Sequence, residues 1–296
     1  MCKSSITKKN GIRKGVQLYK CQNCGYQFTG KEKVSASEIW EDYHSGKQTI
    51  KELSLKYGVS ESTIKRRLRT IHIQWQQPHY LGHGVIHLDA TYFGRNVGIM
   101  LAIESGTGDV LYMEHIKHER VADYLAAVDH IEKSGYHIDG IVIDGMHALF
   151  SAFSKYKIQM CQFHMVAIIR RKLTKNPQLQ SGTELLDLMY SMKNDSKSSF
   201  IAQYKSWCDR WKDFLSEKTI NEVTGRKFFT HQRLRSAKFS IDFYLPYLFT
   251  YEQVEGMPRT NNKIEGRFTD LKKNINVHSG MSDENRKRFI NEFFLA

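Results

Sequence analysis

No stretch of this 296-residue chain runs to about 18 apolar residues, so nothing in it has the length and apolarity of a membrane-spanning helix. The first residues are rich in lysine and carry no apolar segment of the kind that marks a secretory signal. Proline is scarce, at four residues, and no internal repeat or low-complexity tract is visible, which excludes solenoid and disordered architectures. Cysteine is scarce too: Cys2, Cys21, Cys24, Cys161 and Cys208. An odd number at spacings that fit no disulfide framework points to a reducing cytoplasm, and it makes metal binding the reading to test for Cys2, Cys21 and Cys24.

Acidic charge is also in short supply, and unevenly so. The whole chain carries +13. Residues 1–80 hold fifteen Lys and Arg against six Asp and Glu, a net +9, and the other 216 residues carry only +4. A basic front end on a near-balanced body suggests a polyanionic partner. Hydrophobic residues make up 41% and charged residues 25%, enough for a sizeable core in a chain of about two domains.

Residues 1–34 read as a partial zinc-ribbon-like knuckle. Cys21-Gln22-Asn23-Cys24-Gly25 is a C-x2-C turn whose glycine lets backbone amides face thiolate sulfurs. A structural zinc takes four ligands, and Cys2 is the only third cysteine nearby. If Cys2 belongs to a first knuckle, its partner would precede Met1. Residues 35–72 read as a helix-turn-helix. Ser37 is the expected N-cap of a leading helix with an acidic first turn. Ile50, Leu53 and Leu55 are expected to bury the face of the next helix, Gly58 permits the turn, and Ser60 caps the last helix, where Ile64 and Leu68 face inward. Ser62, Thr63, Lys65, Arg66 and Arg69 are left facing outward, suited to a DNA major groove. Residues 72–84 read as a linker.

From 85 to 164 the pattern alternates. Strands are expected over Val85–Tyr92, Val97–Ile103 and Val110–Met113, a helix over Glu119–Ser134, an apolar strand at Ile141–Ile143, a short helix, and a strand at Ile158–Cys161. That order is the order of an RNase H-like mixed α/β sheet. Residues 165–257 read as a helical insertion, and 258–296 as a return to the core with a helix from Asn262 to Lys273 and a last helix ending in Phe293-Phe294.

Asp89 and Asp144 end the first and fourth strands of this order, which are neighbours in the sheet. Two half-buried carboxylates repel, and a hard divalent cation resolves the conflict. A third acid, Glu265, falls in the first turn of the helix that follows the insertion. His87 shares a strand face with Asp89, and His147 follows Asp144; both are expected to be satisfied structural histidines. Arg170, Arg171, Lys172, Lys175, Arg233, Arg235 and Lys238 of the insertion are candidates for phosphate contacts.

Several pieces, taken in order, resemble bacterial DDE transposases of the Mutator-like insertion-sequence group. They are the Cys knuckle, the helix-turn-helix, His87-Leu88-Asp89-Ala90-Thr91-Tyr92, Val142-Ile143-Asp144-Gly145, Met160-Cys161-Gln162-Phe163-His164-Met165 and Thr260-Asn261-Asn262-Lys263-Ile264-Glu265-Gly266. The resemblance covers nearly the whole chain. It implies a catalytic metal site at Asp89, Asp144 and Glu265 holding two Mg2+ (or Mn2+) ions. It places His164 and Cys161 as accessory residues, His164 approaching the metals or the scissile phosphate and Cys161 packing beneath it. It implies double-stranded DNA partners (terminal inverted repeats and target), a homodimer or larger assembly on DNA, no membrane, and a cytoplasmic, nucleoid-associated location. The knuckle departs from the pattern by lacking one Cys, so Zn2+ there is an open expectation. Two alternatives share the same residues: an RNase H-like nuclease that does not join strands, and a domesticated DNA-binding regulator.

Overall fold

The computed structural model describes residues 4–29, 34–73, 75–77, 81–278 and 280–295. They form two compact units that divide between His72 and Ile73. Among the described residues no helix is long and apolar enough to cross a membrane.

In the first unit, β1 (Thr7–Arg13), β2 (Val16–Cys21) and β3 (Gln27–Thr29) make an antiparallel meander in that order. Lys14 and Gly15 both take positive φ, as a two-residue hairpin turn requires. In the knuckle the Gly25 N–H donates to the Cys21 carbonyl at 3.0 Å, and the Cys21 N–H donates to the Tyr26 carbonyl at 2.8 Å. Cys21 is buried and Cys24 is exposed. Among the described residues these two gather no third His, Cys, Asp or Glu to complete a metal site. Cys2 lies outside the described residues.

Three short helices follow: α1 (Ala36–His44), α2 (Ile50–Tyr57) and α3 (Glu61–Leu68). The cap of α1 is Ser35, not Ser37: the Glu38 N–H donates to the Ser35 hydroxyl, while the Ser37 hydroxyl bonds that of Ser35 at 2.6 Å. Both serines suit the position, and the earlier one gains two more residues of helix. Thr49 and Glu52 close a capping box on α2, and Gly58 ends it at φ 61° in the left-handed region. Ser60 caps α3. Leu53, Ile64 and Leu68 are fully buried. Leu55 is not on the buried face: it is 75% exposed, because two residues along a helix is about 200° of rotation from Leu53.

The second unit is built on β4 (Gly82–Tyr92), β5 (Gly98–Glu104), β6 (Val110–Ile116), α4 (Val121–Lys133), β7 (Tyr136–Ile143), α5 (His147–Ala152) and β8 (Ile158–Met160). The five strands lie in the order β6-β5-β4-β7-β8, with β4, β5 and β6 antiparallel and β7 and β8 parallel to β4. This is the RNase H-like arrangement. Strand β4 begins at Gly82, three residues before the alternating apolar pattern at Val85. The segment expected to be a linker also docks in part: the Gln77 side chain donates to the Met113 carbonyl at 2.7 Å and accepts the Met113 N–H at 3.2 Å, capping the β6 edge.

Side chains alternate across the sheet. Ile86, Leu88, Ile141 and Ile143 face a core that includes Tyr124, Ala127, Val128 and Ile131 of α4 and Leu149 and Phe150 of α5. Val85 and Val142 face the other way, against Met257. After β8 come α6 (Gln162–Leu173), α7 (Gln180–Ser191), α8 (Lys197–Arg210) and α9 (Lys212–Ser216). A small hairpin, β9 (Lys218–Ile220) with β10 (Lys227–Phe229), interrupts the expected all-helical insertion before α10 (Gln232–Tyr244). The chain then returns through short 3-10 turns to α11 (Asn262–Asn276) and α12 (Asp283–Leu295).

The helical trio of the first unit hangs partly on one ion pair. Asp42 of α1 takes Lys56 at 2.7 Å and the hydroxyl of Tyr57, both from the end of α2. The hydrogen bond from Lys56 holds the Asp42 carboxyl below its ordinary value. A lowered carboxyl stabilises the fold above its unfolded pKa and loses that contribution as pH falls through the folded value. Lys56 is half exposed, so the link is worth about 1 kcal/mol. Asp42→Ala is expected to speed amide exchange in α1 and α2 by several-fold while leaving β4–β8 unchanged, read by hydrogen–deuterium exchange at neutral pH.

Candidate active site

Two strands set the first half of the site. In the parallel pair, Ile86 sits opposite Ile141 and His87 opposite Val142. Carried two residues further, that register sets Asp89 level with Asp144 at the carboxyl ends of β4 and β7. Both carboxylates are half-buried. Asp89 accepts the Ala90 N–H at 2.8 Å, and Asp144 accepts the Met146 N–H at 3.1 Å. Gly145 keeps the turn after Asp144 tight: a Cβ there would come within 2.6 Å of Ile168 Cδ1. Its carbonyl accepts the Tyr244 hydroxyl at 2.6 Å, which ties α10 of the insertion to this turn.

Burial pushes the Asp89 carboxyl well above its ordinary value, and the charges of Asp144, Glu265 and Glu119 push it further. The structure therefore brings Asp89, Asp144 and Glu265 within electrostatic reach of one another. Glu119, just before α4, is a fourth acid beside them that the sequence pattern did not single out. Burial raises its carboxyl, opposed by a 2.6 Å hydrogen bond from Tyr124. A cleft of about 260 Å³ opens here, lined by Glu119, Asp144, His164 and Arg171 among others.

Glu265 reaches this end of the sheet from α11, whose Ile264, Phe268 and Leu271 are buried and fix its rotation. The decisive residue is Asn261. It stands at the N-cap position but makes no side-chain cap. Its Oδ1 instead takes the His87 ring at 2.7 Å, its Nδ2 donates to the Leu88 carbonyl at 3.3 Å, and its N–H donates to Cys161 Sγ at 3.2 Å. Asn261 is fully buried and His87 nearly so. Burial holds His87 below its ordinary value, hence neutral, so its Nδ1–H is the donor to Asn261. His87 is a core histidine, but only half satisfied: its Nδ1 is held by Asn261, the residue that pins α11 to β4, while its buried Nε2 has no hydrogen-bond partner among the described residues.

Cys161 and His164 open α6. Cys161 is fully buried, and burial pushes its thiol up to about 11, which keeps it protonated near neutral pH. His164 Nδ1 lies 3.6 Å from Glu265 Oε1. Both atoms are buried and, among the described residues, neither has a hydrogen-bond partner. Cys161, His164 and Glu265 offer ligand atoms within 4.8 Å of one another. A buried thiol of this kind packs better than it ligates, so the useful part of that trio is His164 with Glu265.

The other basic candidates separate. Arg235 stacks on Phe229 and donates to the Leu215 carbonyl, Lys238 pairs with Asp242, and Lys172 bonds Ser236, so these three are engaged within the insertion. His147 stacks on Phe243 at 3.4 Å. Arg170 and Arg171 are exposed and line clefts. In the first unit Ser62, Lys65, Arg66 and Arg69 are exposed on α3, and Thr63 is half-buried with its hydroxyl on Ser60.

No family model matches the chain, and no curated protein matches its sequence. Among solved structures it is similar to the Drosophila P element transposase strand transfer complex at 10% identity, covering 93% of each chain with a TM-score of 0.44. It is also similar to the Mos1 strand transfer complex at 12% identity, over 67% of this chain and 81% of that one, with a TM-score of 0.21. A third is a simian T-cell lymphotropic virus intasome in complex with PP2A regulatory subunit B56 gamma, at 13% identity over 53% and 68%, with a TM-score of 0.23.

Asn261→Ala removes the hydrogen-bond partner of a buried ring and loosens the root of α11. The expected cost is roughly 2 kcal/mol, a fall in Tm of about 4–8 °C. Calorimetry of the full chain checks it, and a change below 1 °C would show that Asn261 carries no such link.

Proposed function

We propose that this chain is a DNA transposase of the DDE type, and that Asp89, Asp144 and Glu265 are its catalytic acids. The observation that carries the reading is the crowding at the carboxyl ends of β4 and β7, where burial and three neighbouring acids drive the Asp89 carboxyl upward. The donor set suits hard cations: carboxylate oxygens, with Glu265 Oε1 buried and unpartnered among the described residues. Asp89, Asp144 and Glu265 would hold Mg2+ or Mn2+ ions. Such ions, when bound, would lower the pKa of a water and offset charge on a leaving oxygen.

The remaining chemistry falls to residues of the chain. Asp89 sits on β4 and Asp144 directly follows β7, so the sheet carries both and they define the place of the scissile phosphate. Glu265 closes the site from a helix held by Asn261. His164, beside Glu265, is placed to donate to a phosphate oxygen, and Arg171 at the rim to balance the phosphate charge. Water attacks the phosphorus at a transposon end, the P–O3′ bond breaks, and the 3′ oxygen leaves as a hydroxyl. That hydroxyl then attacks a phosphodiester of target DNA in line and displaces its 3′ oxygen. Neither step needs a covalent link to the protein. The exposed Ser62, Lys65, Arg66 and Arg69, with Thr63, form the helix face for terminal repeats, and pairing two ends calls for at least a dimer.

Asp144→Asn, Asp89→Asn and Glu265→Gln are each expected to lower Mg2+- or Mn2+-dependent nicking of an end-containing duplex by at least about a thousandfold. Binding of that duplex should persist. Normal cleavage by the Asp144→Asn protein would sink the assignment. Strand transfer from a precut end separates a transposase from a nuclease that only hydrolyses, and a metal-independent binder with no nicking would be a regulator. Lys65→Ala with Arg66→Ala should weaken duplex binding and reduce its log–log salt slope by about 2, measured by anisotropy at several salt concentrations.

A further inference from the structure

A second and larger cavity, of about 840 Å³, lies on the far side of the His164 and Glu265 elements. It is lined by one face of α6 from Gln162 to Arg170, the end of α7 with the turn after it, and the segment that leads into α11. Its chemistry is distinctive. Phe163 and Tyr190 are 57% and 43% exposed, unusual for aromatic rings that face a concave wall. Tyr251 adds a third ring, beneath the guanidinium of Arg259 at 5.7 Å. Arg170, Lys193 and Arg259 supply three positive charges, and no lining residue is acidic.

The groove and the acidic cleft are lined by neighbouring residues of the same helix, α6. The Phe163 ring meets the His164 ring edge-on at 5.8 Å, and His164 lies 3.6 Å from Glu265. On the other wall, Thr260 and Asn262 flank Asn261, the residue that holds α11. The groove and the acidic site thus share α6 and the segment that carries Asn261 into α11.

The geometry points to a binding site for unpaired nucleotides of the DNA strand next to the scissile phosphate, with bases stacked on Phe163 and Tyr190 and phosphates met by Arg170 and Lys193. The inference rests on the transposase reading for the identity of the strand. Exposed rings recognise the flat face of a base, and a duplex hides those faces in its stack. Positive charge without any acid fits a backbone of phosphates and disfavours an acidic-residue-free apolar peptide. The cavity volume is that of a small-ligand site, large enough for a nucleotide and too confined for a double helix. The site would thus require the substrate to open locally at the cleavage point.

The test uses the full chain and a single-stranded DNA decamer carrying 5-iodo-2′-deoxyuridine, irradiated without metal and mapped by mass spectrometry. Crosslinks are expected at Phe163 or Tyr190. Phe163→Ala and Tyr190→Ala should each weaken decamer binding about tenfold, Phe163→Tyr should restore it, and duplex binding should stay unchanged. Crosslinks confined to other residues, or equal affinity for an abasic decamer, would overturn the site. Nicking by the wild-type protein is scored separately. A chain that binds the decamer in the groove but never nicks refutes the transposase reading alone, whereas one that nicks but binds abasic and normal decamers alike refutes the groove alone.

Discussion

Like charges do not gather at the end of a buried sheet unless something holds them there. Asp89 feels Asp144, Glu265 and Glu119 at once, in a place where burial already disfavours ionisation. Each half of that crowding needs its own support. The strand half is cheap: β4 and β7 are neighbours in a parallel pair whose flanking Ile86, Leu88, Ile141 and Ile143 are all buried, so the two aspartates are level because the register is. The helix half is demanding. Glu265 arrives after a long excursion and must be fixed to β4 by side chains, since no ladder of backbone bonds joins a helix to a sheet.

The excursion is closed by three buried amides. Gln159 donates to the Leu248 carbonyl at 3.0 Å and accepts the Tyr251 N–H at 3.0 Å. Gln162 also donates to the Leu248 carbonyl, and its own N–H donates to Arg259. Asn261 then binds His87, 174 positions away. An amide group is well suited to this work, because it donates and accepts at once and stays neutral when buried. Leaving any of them unpaired would cost about 1–3 kcal/mol, so the returning segment has one favoured path past β8 and α6. Asn261 also shows that the path is not free: it occupies an N-cap position without capping, giving up a contribution of about 1 kcal/mol to its own helix.

What could be read in the sequence follows from the range of the forces involved. Strands β4 to β8 are legible because apolar residues recur at the period of a strand, and Gly58 and Ser60 are legible because a left-handed turn and a cap are local events. The two aspartates stand out as the polar ends of apolar runs. Ser35 and Ser37 are equivalent by local chemistry, and only the packing of α1 decides between them. Leu55 belongs to an eight-residue helix, too short for its apolar residues to define one face. The β9–β10 hairpin is six paired residues with few buried contacts, lost in a helical background. Glu119 and Asn261 are invisible for a deeper reason: their partners are Tyr124 and His87, and nothing local announces that an Asn ahead of a helix will turn toward a strand.

The same two segments serve the carboxylates on one side and the aromatic groove on the other. Phe163 and His164 are adjacent on α6, about 100° apart around the helix, so one faces the groove and the other faces Glu265. Thr260 and Asn262 line the groove while Asn261 between them is turned inward to His87. The groove wall and the root of α11 are thus one segment, and the root of α11 sets the position of Glu265. Strand β4 is held separately, by its ladders to β5 and β7. Asn261 and the first turn of α6 therefore carry two duties, holding Glu265 and His164 on one side and forming a wall of the groove's surroundings on the other.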